Sequence, residues 1–360
     1  MTPLVSAVID TSALRHNLEA VRRFAPRSRV MAVIKANGYG HGLTAVAQAL
    51  GSADAFAVAR VDEGLVLRRA GIATRIVLLE GVFDREQLEA AAAADFELVV
   101  HTREQIELLA AACGQAARFR VWLKLDTGMN RLGFKAADFP AAAAALGALS
   151  CVAAPVNLFT HLSSADAREL PATAEQLARF GTATRGLPGE RSIANSAGLL
   201  GFPDAQADWV RPGLLLYGAA PFAGAVGADY GLMPAMTLRS RVIALKSVEA
   251  GERVGYGGDW IAPRPTLLAI AAVGYGDGYP RSLPSGAPVL VNGERAPLAG
   301  RVSMDMIGID VTRLARAPAP GDPVVLWGRG LPVEEVAVWA QTIPYELLCG
   351  ISQRVAATPE

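Results

Sequence analysis

The chain has 360 residues, enough for two domains and a sizeable core. Lys plus Arg and Asp plus Glu balance at 34 each with no charged block, which argues against nucleic acid or an anionic membrane surface as a partner. There is no membrane-length apolar run and no secretory leader pattern, and Cys113, Cys151 and Cys349 are dispersed; a cytoplasmic protein with buried, reduced thiols is expected.

Residues 4–9 read as a short strand. Asp10–Thr11 offers a helix N-cap, and Leu14, Leu18, Val21 and Phe24 keep helical spacing up to Pro26. Apolar strand patterns then recur at 29–35, 55–59, 75–79, 97–100, 119–125, 151–160, 191–194 and 208–211, most of them separated by alanine-rich amphipathic segments. Eight strands in βα alternation predict a (β/α)8 TIM-type barrel. Between Ala219 and Pro234 the periodicity gives way to Gly, Ala and Pro. Short β-type runs succeed it at 236–249, 266–273, 288–291, 306–311 and 323–327, predicting a C-terminal mainly-β domain. The expected domains are 1–228 and 229–360, with residues 1–9 available as an added strand for the second.

Such a barrel carries its chemistry at the C-terminal ends of its strands. Polar residues gather there: Lys35 after the first, Lys124 to Arg131 after the fifth, His161 after the sixth, Asn195 and Ser196 after the seventh, Arg211 to Gly213 after the eighth. Only four of the 34 basic residues are lysines (35, 124, 135 and 246). A lysine kept in an arginine-rich chain suggests a task closed to a guanidinium, such as forming a Schiff base. Taken singly, each residue has a bland alternative: His161 as a satisfied core histidine, Arg211 as a turn residue, Tyr256 as a structural tyrosine between glycines.

The segment Val33-Ile-Lys-Ala-Asn-Gly-Tyr-Gly-His-Gly42 resembles the pyridoxal-phosphate attachment site of the alanine racemase family. So do Lys124–Gly133, His161–Asp166, Ala194–Ser196, Val210–Gly218, Val254–Gly258, Gly274–Gly278, Gly300–Asp305 and Ile343–Ser352 resemble other family segments, in order and across the whole chain. The resemblance implies a homodimer with shared active sites that interconverts L- and D-alanine through pyridoxal 5′-phosphate, for peptidoglycan or for alanine catabolism. It implies Lys35 and Tyr256 as the two catalytic bases, the first also as the cofactor's covalent anchor. His161 and Lys124 would support them, Lys124 matching a lysine that carries a carbamate in many relatives. Arg211 would contact the cofactor's ring nitrogen; Tyr39, Asn195, Ser196, Gly213, Leu214 and Tyr345 would hold the cofactor on its phosphate side. Arg131, Met304 and Tyr275 would meet the substrate. Departures from the family pattern are small: Gly38, Asn130, and Arg354-Val-Ala-Ala in place of an Arg-Val-Pro-Arg ending. The alternatives are a broad-specificity or serine racemase of the same fold, a barrel-type decarboxylase and a non-enzymatic barrel-only pyridoxal-phosphate carrier.

Overall fold

The computed structural model describes residues 3–114 and 118–359; residues 1, 2, 115–117 and 360, included in the expected domain ranges, lie outside the described residues. After β1 (Ser6–Ile9) come β2 (Arg29–Val33), β3 (Ala55–Val58), β4 (Ile76–Leu78), β5 (Phe96–Val100), β6 (Val121–Lys124), β7 (Asn157–Phe159), β8 (Arg191–Ser192) and β9 (Trp209–Val210). Strands β2 to β9 form a closed parallel barrel, sealed where Arg29 and Val30 of β2 pair with Trp209 and Val210 of β9. Helices succeed most strands and cover their outer side. The strands can therefore be apolar on both faces, and every residue of β3, β4 and β5 is buried.

Two expectations need correcting. The strand foreseen over 151–160 is reduced to Asn157–Phe159, because Pro155 has no N–H to give a ladder and only a single bridge joins Val152 to Phe119. Cys113 and Cys151 are not free thiols but form a disulfide, which ties the end of the helix Arg103–Ala112 to the segment before β7; Cys349 is free and exposed.

The remaining strands are β10 (Met236–Val248), β11 (Arg253–Val254), β12 (Trp260–Ile261), β13 (Thr266–Ala271), β14 (Pro288–Val291), β15 (Glu294–Pro297), β16 (Ile307–Asp310), β17 (Pro323–Trp327) and β18 (Ala356–Pro359). One sheet runs β15-β14-β17-β10-β1-β18, and β13 pairs with both β10 and β16. Strand β1 pairs antiparallel with β10 and parallel with β18, so the first strand of the chain belongs to this sheet. Asp10 then caps the helix Thr11–Phe24 by accepting from Ala13 N (2.9 Å), and the chain crosses into the barrel. The return crossing is held by Glu334, a buried carboxylate that accepts from Ala220 N and Gly227 N, both at 2.8 Å. Among the described residues no helix is long and apolar enough to cross a membrane.

Candidate active site

The barrel mouth is organised by the turn immediately after Lys35. Ala36, Asn37, Gly38 and Tyr39 have φ of 53°, 55°, 63° and 52°, a single turn of left-handed helix. For residues other than glycine this conformation costs about 1–2 kcal/mol each, so the surroundings must impose it. Glu63 accepts from Ala36 N (2.7 Å) and Ala59 N (2.7 Å), Asn37 Oδ1 accepts from Leu43 N (2.9 Å), and Gly38 N donates to Ile34 O (2.9 Å). The turn leaves Lys35 half-buried at the strand end and folds Tyr39 inward. Tyr39 stacks on Tyr217 with ring centroids 4.6 Å apart, and the Tyr217 hydroxyl donates to Val33 O (3.1 Å), back on the strand that carries Lys35.

On the strand next to that of Lys35, where Val33 N donates to Pro212 O (2.9 Å), Arg211 is buried after β9. Its Nη1 donates to Ser192 Oγ (2.7 Å), and its Nη2 to Thr160 O (2.7 Å), Ile193 O (3.1 Å) and His161 Nδ1 (3.3 Å). Burial lowers its pKa to about 9, still above neutrality, so the guanidinium stays charged. A guanidinium has no acceptor. Nδ1 of His161 must therefore be the unprotonated nitrogen, and Nε2 carries the hydrogen. Burial and then the Arg211 charge hold His161 well below the ordinary imidazole range, so it is neutral at pH 7.

The Phe159 ring underlies two cations, with Arg211 Cζ 3.9 Å and Lys124 Nζ 5.7 Å from its centroid. Lys124 is buried at the end of β6. Burial, then the charges of Arg211 and Arg131, lower its pKa to about 8. Lys35 also contributes to that repulsion, whereas Asp126, the nearby carboxylate, is engaged by Lys135. Four cationic side chains thus share one mouth, a field that calls for anionic ligands.

Next to them is a set of neutral donors. Ser196 Oγ accepts from Gly213 N (3.0 Å) and Leu215 N (3.5 Å), which occupies its lone pairs and leaves its proton to donate. A Cβ on Gly213 would lie 2.4 Å from the Tyr39 hydroxyl, so only glycine lets that hydroxyl reach the turn. The Tyr345 ring is 5.9 Å from that of Tyr39. Burial raises both phenols, Tyr345 to about 12, so both remain protonated and can donate. Asn195 caps the helix Ser196–Gly201 through Gly198 N (2.9 Å) and also donates to Leu162 O (3.3 Å); its direct role here is to orient Ser196.

The family model of the alanine racemase N-terminal domain matches residues 9–221, and that of the C-terminal domain matches residues 235–358. The chain belongs to the alanine racemase family. It is 52% identical to an alanine racemase of Aeromonas hydrophila over 97% of each chain, and 53% identical to one of Nitrosococcus oceani over 98% of this chain and 99% of the other. The biosynthetic alanine racemase of Pseudomonas aeruginosa has the same structure at a TM-score of 0.96, with 45% identity and complete coverage of both chains. An alanine racemase structure from Bartonella henselae described with covalently bound pyridoxal phosphate matches at 0.90, with 29% identity and both chains covered in full.

Within one racemase chain the expected residues fall into two groups. Lys35, Tyr39, Lys124, Arg131, His161, Asn195, Ser196, Arg211, Gly213, Leu214 and Tyr345 surround the barrel mouth. Tyr256, Tyr275 and Met304 stand on loops of the sheet region, 65%, 41% and 52% exposed. Among the described residues no hydrogen bond or ring contact links them to Lys35. Two of these loops are joined: Tyr275 N donates to Ser303 O (3.0 Å) and Gly276 N to Met304 O (2.9 Å). Sequence reasoning missed Glu63, Phe159 and Tyr217 as supports of the mouth. Tyr217 lay within a recognised motif; the other two carried no local signal. Asn130, a departure from the family's common glycine, has φ 56°, where asparagine is the best substitute for glycine.

Proposed function

We propose that the protein interconverts L- and D-alanine with pyridoxal 5′-phosphate resident on Lys35, as a homodimer whose sites are completed by the partner subunit. The observation that carries this reading is the mouth itself: a strand-end lysine, a charged arginine buried at the end of the neighbouring strand and three hydroxyl donors beside a glycine turn. The donor set fits the cofactor. Ser196, Tyr39 and Tyr345 offer neutral donors to a phosphate, and Lys35 offers the amine. Arg211 retains its Nε–H and one Nη1–H, which have no partner among the described residues, for a ring nitrogen.

Bound pyridoxal phosphate would acidify the Cα–H of an attached amino acid. Arg211, which can only donate, would keep a proton off its ring partner. With that nitrogen left unprotonated, charge at Cα would be poorly spread, so Arg211 would favour proton return over transamination. Lys35 Nζ moves the proton on one face of Cα, and the partner's Tyr256 on the other; inversion requires both faces. Neutral His161 holds Arg211 in place and turns its Nε2–H away from it. Arg131 and Met304 would receive the substrate carboxylate, with Tyr275 at the entrance. The lowered pKa of Lys124 leaves a fraction of free amine near neutrality, which can add CO2 with release of a proton. The resulting carbamate would supply the anion that the surrounding cations lack and would hold Arg131.

Exposure supports the shared site. Tyr256, Tyr275, Met304 and Met306 present a large, partly apolar surface that a single chain leaves in water. A two-fold partner would lay it over the mouth.

The test is to incubate the yellow holoprotein with L-alanine in D2O and separate the enantiomers. Equal amounts of L- and D-alanine with deuterium at Cα are expected, and borohydride should fix the cofactor on the Lys35 peptide. No D-alanine, or a label on another lysine, would overturn the assignment.

A further inference from the structure

The C-terminal segment enters the same region from an unexpected side. Strand β18 pairs with β1 from Ser6↔Ala356 to Ile9↔Pro359, which anchors the chain just beyond Arg354. Arg354 Nε donates to Asp277 Oδ1 (2.7 Å), and its Nη2 donates to Asp305 Oδ1 (2.7 Å). Asp277 is buried. Its other oxygen accepts from Gly274 N (2.9 Å), closing the turn that presents Tyr275, and its carbonyl accepts from Ser352 N (3.1 Å). Asp305 is the residue after Met304. One guanidinium therefore spans the two loops already joined by Tyr275 N to Ser303 O and Gly276 N to Met304 O. The fit is close: a Cβ on Gly276 would lie 2.9 Å from Arg354 Nη2 and 3.0 Å from Met304 O.

We propose that Arg354 is a positioning residue for substrate binding: it clamps the Tyr275 turn to the Met304 loop and thereby fixes the subsite that receives the substrate carboxylate. The inference rests on the assignment of Met304 to that carboxylate. Arginine suits the task because its planar fork can serve two carboxylates at once, while an ammonium on a flexible stem holds its geometry less well. Arg354 itself does not touch the reacting atoms. Its loss loosens the pocket without removing either base. Its signature is thus weaker binding, together with poorer exclusion of side chains larger than methyl.

The experiment uses the holoenzyme, alanine and serine as substrates, and propionate as a carboxylate probe. Propionate should compete with alanine in the unaltered enzyme. Arg354→Met keeps an unbranched stem without donors; it should raise KM for alanine and the inhibition constant of propionate together, roughly tenfold, with kcat changed less than about threefold. The serine-to-alanine ratio of kcat/KM should rise. Arg354→Lys, which retains the charge but not the fork, should fall between. Asp305→Asn weakens only the exposed arm and should raise KM about two- to threefold, which decides the matter if Arg354→Met does not fold. Unchanged KM and propionate inhibition in a folded Arg354→Met enzyme, or in Asp305→Asn if that variant alone folds, would overturn the clamp and leave the carboxylate subsite standing. If propionate fails to compete in the unaltered enzyme, the carboxylate subsite fails and the clamp with it.

Discussion

At the scale of single residues, the mouth buries two cations together, Arg211 and Lys124, beside the half-buried Lys35 and the exposed Arg131. Lys124 illustrates the energetic side. Its folded-state pKa of about 8 lies below the ordinary lysine value of 10.5, so the folded chain binds this proton less tightly than the unfolded chain. Below pH 8 the penalty is therefore complete, and stability rises as pH climbs from 8 to 10.5, where the unfolded state holds more protons. In cofactor-free protein kept free of CO2, Lys124→Met should be more stable at pH 7, by about 3 kcal/mol before any packing change. The advantage should shrink toward pH 10.5, and urea unfolding across that range measures it. A difference independent of pH would mean that Lys124 is not protonated under strain. Lys35 and Lys124 stood out in the sequence because family-like motifs surround them; the scarcity of lysine in a chain with 30 arginines drew attention to them but applies equally to Lys135 and Lys246. Phe159 and Glu63 were not legible. Their roles depend on rings and carboxylates brought in from other strands and helices, which spacing along the chain cannot reveal.

Among the elements, the barrel strands were readable because parallel strands covered on both sides are runs of apolar residues. Even Asn157–Phe159, shorter than expected, lies inside such a run. Strands β11, β12 and β15 were not readable: two have only two residues, and β15, Glu-Arg-Ala-Pro, has no apolar alternation. The left-handed turn after Lys35 was hidden for a different reason. Ala36, Asn37 and Tyr39 adopt a backbone that their own preferences oppose, held by the tertiary hydrogen bond from Ala36 N to Glu63 and the local one from Gly38 N to Ile34 O. Ala36→Gly should accordingly stabilise the fold by about 1 kcal/mol, since it removes a Cβ from the left-handed region at some cost in unfolded-state entropy. Denaturant midpoints of the two proteins check this. A destabilised Ala36→Gly would contradict the turn as described.

For the whole molecule, the division of residues is the decisive feature. The barrel mouth holds Lys35, with Tyr345 of the C-terminal helix Pro344–Cys349 against Tyr39 there, while the sheet region carries Tyr256 outward on an exposed loop. The pairing of β1 and β18 beside β10 joins both ends of the chain in one sheet, and Glu334 ties the junction between that sheet region and the barrel. Sequence motifs named the residues on both sides, but only the three-dimensional arrangement separates them within a chain. Subunit complementation tests this most directly. Lys35→Ala and Tyr256→Ala homodimers should each be nearly inactive. Unfolded together and refolded, half of the dimers should be mixed, each with one intact site, so about a quarter of the unaltered activity should return under random pairing. No recovery, with subunit exchange verified by mass, would show that Lys35 and Tyr256 act from the same chain and would contradict the shared site.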